Sequence, residues 1–97
     1  MRYEFTSTAH GDFNRLINYG VQNWNLDVVQ SYLGRLETVF HMLTEFPKSG
    51  RLYRPAKDGR ANIYTFPHES HKIFYEIHEE YILVTAILGE RELPRFD

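Results

Sequence analysis

The spacing of apolar positions changes along this chain, and each change marks an element. In "RYEFT", residues 2–6, apolar and polar residues alternate with Tyr3 and Phe5 on one face, which predicts a short strand. The hydroxyl residues that follow suit a helix start, with Ser7 or Thr8 as N-cap and Asp12 about a turn further on. From there Phe13, Leu16, Ile17, Gly20, Val21 and Trp24 recur at helical spacing and form one apolar stripe. Gly20 weakens that helix slightly but lets another element pack close. Asn25 breaks the stripe and suits a second N-cap, with Asp27 favourable at the positive end of the next helix. Val29, Tyr32, Leu33, Leu36, Phe40, Leu43 and Phe46 then repeat at intervals of three and four, and Val39 widens the stripe. This second helix runs for about 20 residues and stops at Pro47 and Gly50.

Residues 47–59 hold Pro47, Gly50, Pro55 and Gly59 without a period and read as a loop. Three strand patterns follow, at 61–66 ("ANIYTF"), 71–77 ("HKIFYEI") and 81–88 ("YILVTAIL"). The middle one alternates, with Ile73, Tyr75 and Ile77 on one face and Lys72, Phe74 and Glu76 on the other. The last is apolar on both faces, as a central strand requires. Glu79 and Glu80 make a tight link between these two, and the tail "GERELPRFD" has no period. The order is β-α-α-β-β-β. Consecutive strands with short links pair as an antiparallel meander, and two long helices with a short link form an antiparallel hairpin. Both helical stripes are buried only if the hairpin covers one face of the sheet. The expected fold is α+β, a helical hairpin packed on one face of an antiparallel sheet, as a single domain over residues 1–97.

Composition narrows the setting. Of 97 residues, 42% are hydrophobic and 15% aromatic, enough to fill a core despite the small size. The lack of cysteine excludes disulfides and thiolate metal sites and suits a reducing cytoplasm. No signal-peptide pattern opens the chain, and no run approaches the roughly 18 apolar residues that span a membrane. His68, His71 and His78 invite a metal reading. His71 and His78 fall on opposite faces of a strand, however, and no carboxylate accompanies them at helical spacing, so neither metal nor cofactor is expected.

Charge is distributed unevenly. The total is −2, yet "FPKSGRLYRPAKDGR", residues 46–60, sets Lys48, Arg51, Arg54, Lys57 and Arg60 against Asp58 alone. A near-neutral total argues against a protein that coats nucleic acid, so affinity for an anionic partner has to come from this patch. A solvated surface loop is the plain alternative for the same residues.

The chain resembles the RelE/ParE superfamily of bacterial toxins over nearly its whole length. "LTEFPKSG" is similar to that family's Leu-x-x-x-Pro-x-x-Gly through Leu43, Pro47 and Gly50. "FPHESHKIFY" is similar to its Phe-Pro-x-x-x-His-x-Ile-Phe-Tyr through Phe66, Pro67, His71, Ile73, Phe74 and Tyr75. "DFNRLINY" resembles Asp-Leu-x-x-Ile-x-x-Tyr through Asp12, Phe13, Leu16 or Ile17, and Tyr19, and Trp24 resembles the Trp that often closes the first helix. The joint order of these motifs carries the resemblance, since each alone also serves packing. There are departures. Tyr64 and Glu76 stand where the ParE branch often has Arg, Gly89 stands for a His in Leu-His-x-Arg, of which Arg91 survives, and Asn25 replaces a Gly.

The resemblance implies a toxin of a type II toxin–antitoxin system that inhibits growth or stabilises a plasmid. RelE-like members cleave mRNA in the ribosome, whereas ParE-like members poison DNA gyrase by binding it. RNA cleavage needs a proton acceptor, a proton donor and cations on the phosphate. RelE-like tails carry Tyr or His for this work, and here the tail has neither. Glu90 and Glu92 are poor donors near neutral pH. The ParE-like branch is therefore the expected one, a gyrase inhibitor with no hydrolytic site, neutralised in a hetero-oligomer by a cognate antitoxin. On this reading Arg51, Arg54, Lys57, Arg60, Arg91, Arg95 and Phe96 contact the target, and Tyr19, Trp24, Tyr32 and Phe74 form the antitoxin groove. The alternatives are a RelE-like ribosome-dependent endoribonuclease acting on mRNA, and an inactive module that only binds its antitoxin.

Overall fold

The computed structural model describes residues 1–94. Strand β1 (Arg2–Phe5) leads into helices α1 (Ser7–Asn23) and α2 (Leu26–Glu45), then a single 3₁₀ turn (Pro47–Ser49). Strands β2 (Arg51–Arg54), β3 (Ile63–His68), β4 (His71–Ile77) and β5 (Tyr81–Gly89) complete the fold. The helix starts follow from capping chemistry. Thr6 is the N-cap of α1, its Oγ1 accepting from Ala9 N at 3.1 Å, in place of the expected Ser7 or Thr8. The reason is tertiary: Thr6 N also donates to Val84 O at 3.0 Å, so extended backbone persists through Thr6 before the helix begins. Asn25 caps α2 as expected, with Oδ1 accepting from Val28 N at 2.9 Å.

The strands form one sheet in the order β1-β5-β4-β3-β2. The antiparallel meander β3-β4-β5 matches the sequence expectation. Two features correct it. Strand β1 pairs with β5 in parallel, Arg2 against Tyr81 and Phe5 against Val84, so the sheet is mixed rather than purely antiparallel. Residues 51–54, expected in a loop, form an edge strand antiparallel to β3. "RLYR" carries no burial period because three of its four residues are exposed.

Packing follows the two stripes. Ala9, Tyr32, Leu36, Phe40 and Leu43 from the helices meet Ile73, Tyr75, Ile82, Val84 and Ile87 from the sheet. Tyr3, Phe5 and Phe13 close one end of this core around Phe40, with ring centroids 5.2–5.7 Å apart along the chain of contacts. Each fully buried aliphatic side chain, Leu36 or Leu43 for example, contributes about 1.5–3 kcal/mol through its removal from water. Gly20 sits where α1 approaches α2, and a Cβ there would lie 2.9 Å from Val29 Cγ2, so the close packing expected of this glycine is realised. On the opposite sheet face Ile63, Phe74, Ala86 and Leu88 form a second buried cluster, all of it from strands. Among the described residues no helix is long and apolar enough to cross a membrane.

Candidate functional site

The joint between the helical hairpin and the β3–β4 turn forms the first candidate region. Trp24 closes α1, its backbone N–H donating to Gly20 O at 2.8 Å, and its ring lies between those of Tyr19 and Tyr32. Tyr19 meets Trp24 edge-on at 5.8 Å, and Trp24 meets Tyr32 at 6.5 Å. Tyr19 and Trp24 are 60% and 41% exposed, whereas Tyr32 is only 5% exposed, so the first two are available to a partner and the third supports them. Behind them lies a cavity of about 460 Å³ lined by Asp12, Arg15, Tyr19, Trp24, His71 and Glu92 among others. Asp12 is buried on α1. It accepts from Ile87 N at 3.0 Å and from the Arg15 guanidinium, which satisfies its carboxylate and locks α1 to β5.

Tyr32 is the hub of this region. Its hydroxyl is hydrogen-bonded to His71 Nδ1 at 2.7 Å, and its ring packs against those of His68 and His71. Burial first, then the nearby Glu69 carboxylate, pushes the phenol up to about 12, against the pull of Arg35. Burial likewise holds the His71 imidazole below its ordinary 6.5, with His68 acting in the same direction and Glu92 and Glu69 opposing it. A protonated phenol beside a neutral imidazole gives one donor and one acceptor, which is what the bond requires. Arg35 then ties α2 to the turn: its Nε and Nη2 reach Glu69 at 2.9 and 3.2 Å, and Nη1 reaches Ser31 Oγ at 2.7 Å. Glu69 adopts φ 55°, unfavourable for a side chain of its size, and the bidentate pair holds it there.

The basic stretch forms the second region. Between β2 and β3 the chain makes a small arm. Lys57 and Arg60 exchange backbone hydrogen bonds of 3.2 and 2.9 Å around Asp58 and Gly59, whose φ angles are 52° and 78°. Two positive φ angles across an Asp-Gly pair define a tight two-residue hairpin turn. Asp58-Gly59 is the signal in the sequence that could have revealed it. Arg54, Lys57 and Arg60, with Pro55, Ala56 and Asp58, line a concavity of about 370 Å³. Asn62 closes the root of the arm by accepting from Ala56 N.

A clasp joins the arm's strand to the core. Tyr75 Oη donates to Pro47 O at 2.6 Å and accepts from Gly50 N at 3.0 Å. A Cβ on Gly50 would come within 2.4 Å of that hydroxyl and 2.8 Å of Thr65 O, so the position has room only for glycine. Burial raises the Tyr75 pKa, against the Gly50 N–H, and keeps the hydroxyl protonated.

The expected site residues thus separate into groups. Tyr19, Trp24 and Tyr32 come together, but Phe74 is 1% exposed on the opposite sheet face, edge-on to Tyr53 at 5.1 Å. Arg51 is exposed on β2, and Arg54, Lys57 and Arg60 share the arm. Arg91 is exposed in the turn after β5, while Arg95 and Phe96 lie outside the described residues. The departures have local roles. Tyr64 stacks on Tyr75 at 5.7 Å, Glu76 accepts from His78 Nε2 at 2.8 Å when that nitrogen carries its proton, and Gly89 N donates to Glu92 Oε1 at 3.0 Å. Sequence reasoning missed the Tyr32–His71 pairing and the Tyr75 clasp.

Comparison with known proteins agrees with this geometry. The fold is similar to that of a chain from the chromosomal ParDE TA system of P. aeruginosa, with a TM-score of 0.67 over 92% of this chain and 95% of that one; at 13% identity the likeness is one of fold. The class of fold is α+β, a helical hairpin on one face of a mixed five-stranded sheet. Residues 3–94 match the family described as ParE toxin of type II toxin-antitoxin system, parDE, and the chain belongs to that family. It is 30% identical over 86 residues to Toxin ParE3 of Caulobacter vibrioides (strain ATCC 19089 / CIP 103742 / CB 15), covering 89% of this chain and 83% of that one.

Proposed function

We propose that this toxin acts in the cytoplasm by binding DNA gyrase, without hydrolytic chemistry, and that a cognate antitoxin silences it by covering the groove of Tyr19 and Trp24. The observation that carries the choice against RNA cleavage is a separation. Arg54 pairs with Ile63 at one end of β3, and His68 pairs with His71 at the other. Five strand steps at about 3.3 Å put roughly 16 Å between the root of the basic arm and the proton carriers. One scissile phosphate cannot meet both. Arg15, the cation that lines the His71 cavity, is already held by Asp12.

Purified toxin is expected to inhibit gyrase supercoiling and raise the level of cleaved DNA–gyrase complex at micromolar concentration. Unchanged supercoiling alongside cut mRNA in a translation assay would move the target to the ribosome. The groove has its own reporter, since Trp24 is the chain's one tryptophan. Antitoxin binding over it is expected to blue-shift the emission as the exposed indole loses water. An unshifted spectrum in a formed complex places the antitoxin elsewhere.

A further inference from the structure

Residues 48–60 hold five of the eleven basic side chains and one of the thirteen acidic ones, leaving six basic against twelve acidic for the rest of the chain. The molecule is therefore strongly polarised, with its positive charge concentrated at the β2 edge and the arm. The arm is also poor in apolar anchors. From Pro55 to Arg60 every residue is exposed, and the two apolar ones are Pro55 and Ala56. Protein–protein contacts draw most of their energy from buried aromatic and aliphatic anchors. Contacts to a phosphate backbone are polar, basic and made largely by Arg and Lys. The arm has the second composition. Its two-residue turn sets Lys57 and Arg60 side by side as direct cross-strand neighbours, with Arg54 at the root of the same concavity.

We propose that the Arg54–Arg60 arm is a phosphate-backbone contact for duplex DNA. The net negative remainder of the chain disfavours DNA elsewhere, so the contact is confined to this basic edge, with the arm at its tip. The binding is weak and sequence-independent, in the range of non-specific complexes, and gains strength only where another protein presents the DNA. Linking this contact to gyrase-held DNA rests on the function proposed above; the duplex contact itself does not.

The test is fluorescence anisotropy of a labelled random-sequence duplex titrated with the full chain, without gyrase. Two phosphate contacts, from Lys57 and Arg60, predict a log–log salt slope of about −1.8, so affinity falls roughly 18-fold between about 20 and about 100 mM salt. The double variant Lys57→Glu/Arg60→Glu is expected to lose at least about tenfold in affinity at low salt. Its far-UV circular dichroism and melting temperature should stay those of the parent. Arg2→Ala, on the opposite edge strand, should bind like the parent. No anisotropy change at low salt overturns the proposal, as does equal binding by the double variant. It is also overturned if DNA-free gyrase retains the parent and loses the double variant while the duplex binds neither, because the arm then reads protein. A chain that binds duplex through the arm but leaves supercoiling intact upholds the contact and refutes the gyrase target, which keeps the two failures apart.

Discussion

The two candidate regions are built on opposite plans. In the groove, the residues a partner would touch are fastened to the core: Trp24 leans on Tyr32, Tyr32 is bonded to His71, and Arg35 grips Glu69 across the same joint. In the arm, a tight turn and one Asn62 hydrogen bond set the backbone, and Lys57 and Arg60 are exposed on it. Recognition and stability are therefore inseparable in the groove and separable in the arm. A groove substitution should change both binding and folding, whereas an arm substitution should change binding alone.

The comparison can be broken most severely at its hub. Tyr32→Ala is expected to cost about 3–5 kcal/mol in urea unfolding, because it removes a buried aromatic ring and the short hydrogen bond to His71 Nδ1, leaving only the longer contact with Ser70 Oγ. A cost under 1 kcal/mol would mean that the groove is not tied to the core. Next comes the clasp at the foot of β2. Gly50→Ala should cost about 1–3 kcal/mol by overpacking against Tyr75 and the Thr65 carbonyl. Tyr75→Phe should cost a similar amount, since it unpairs Gly50 N and Pro47 O, and it should not be additive with Gly50→Ala.

A smaller effect concerns pH. The folded state holds His71 below its unfolded pKa of 6.5, so the unfolded chain binds the proton more readily. Stability from this site is fully present above pH 6.5 and declines as pH falls toward the depressed folded value. His71→Gln should flatten unfolding stability over that window; an unchanged slope would remove His71 as its source. The smallest stability change belongs to the arm. Lys57→Glu/Arg60→Glu should shift unfolding by no more than about 0.5 kcal/mol while lowering toxicity on induced expression. A large loss of stability would erase the contrast.

How far the sequence could be read follows the same division. Elements with a strong period were legible: α2, and β4 to the residue. The start of α1 was ambiguous because Thr6, Ser7 and Thr8 are all competent caps, and only the bond from Thr6 to a strand distant in sequence selects among them. Strand β2 was hidden because an exposed edge strand has no apolar face to announce it. The parallel pairing of β1 was hidden because nothing local encodes it. For the site, the family resemblance grouped Tyr19 with Trp24, and the two rings do meet at the end of α1. Spacing could not place Tyr32 beside His71, 39 residues away, and although the alternation in 71–77 set Phe74 on the face opposite Ile73 and Tyr75, it did not say which face the helices cover. The Leu43-Pro47-Gly50 motif acquires a reason only in three dimensions, where Tyr75 of the second motif closes on it.

The pairing of β1 with β5 has a consequence for the life of the chain. The first strand made waits for the last, and β5 also separates β1 from β4 and supplies Ile82, Val84 and Ile87 to the core. Until β5 has left the ribosome the helical stripes have no finished sheet to cover, and contacts of such long sequence separation form late. Any surface that the helices and the sheet build together is therefore acquired late, after the last strand is in place.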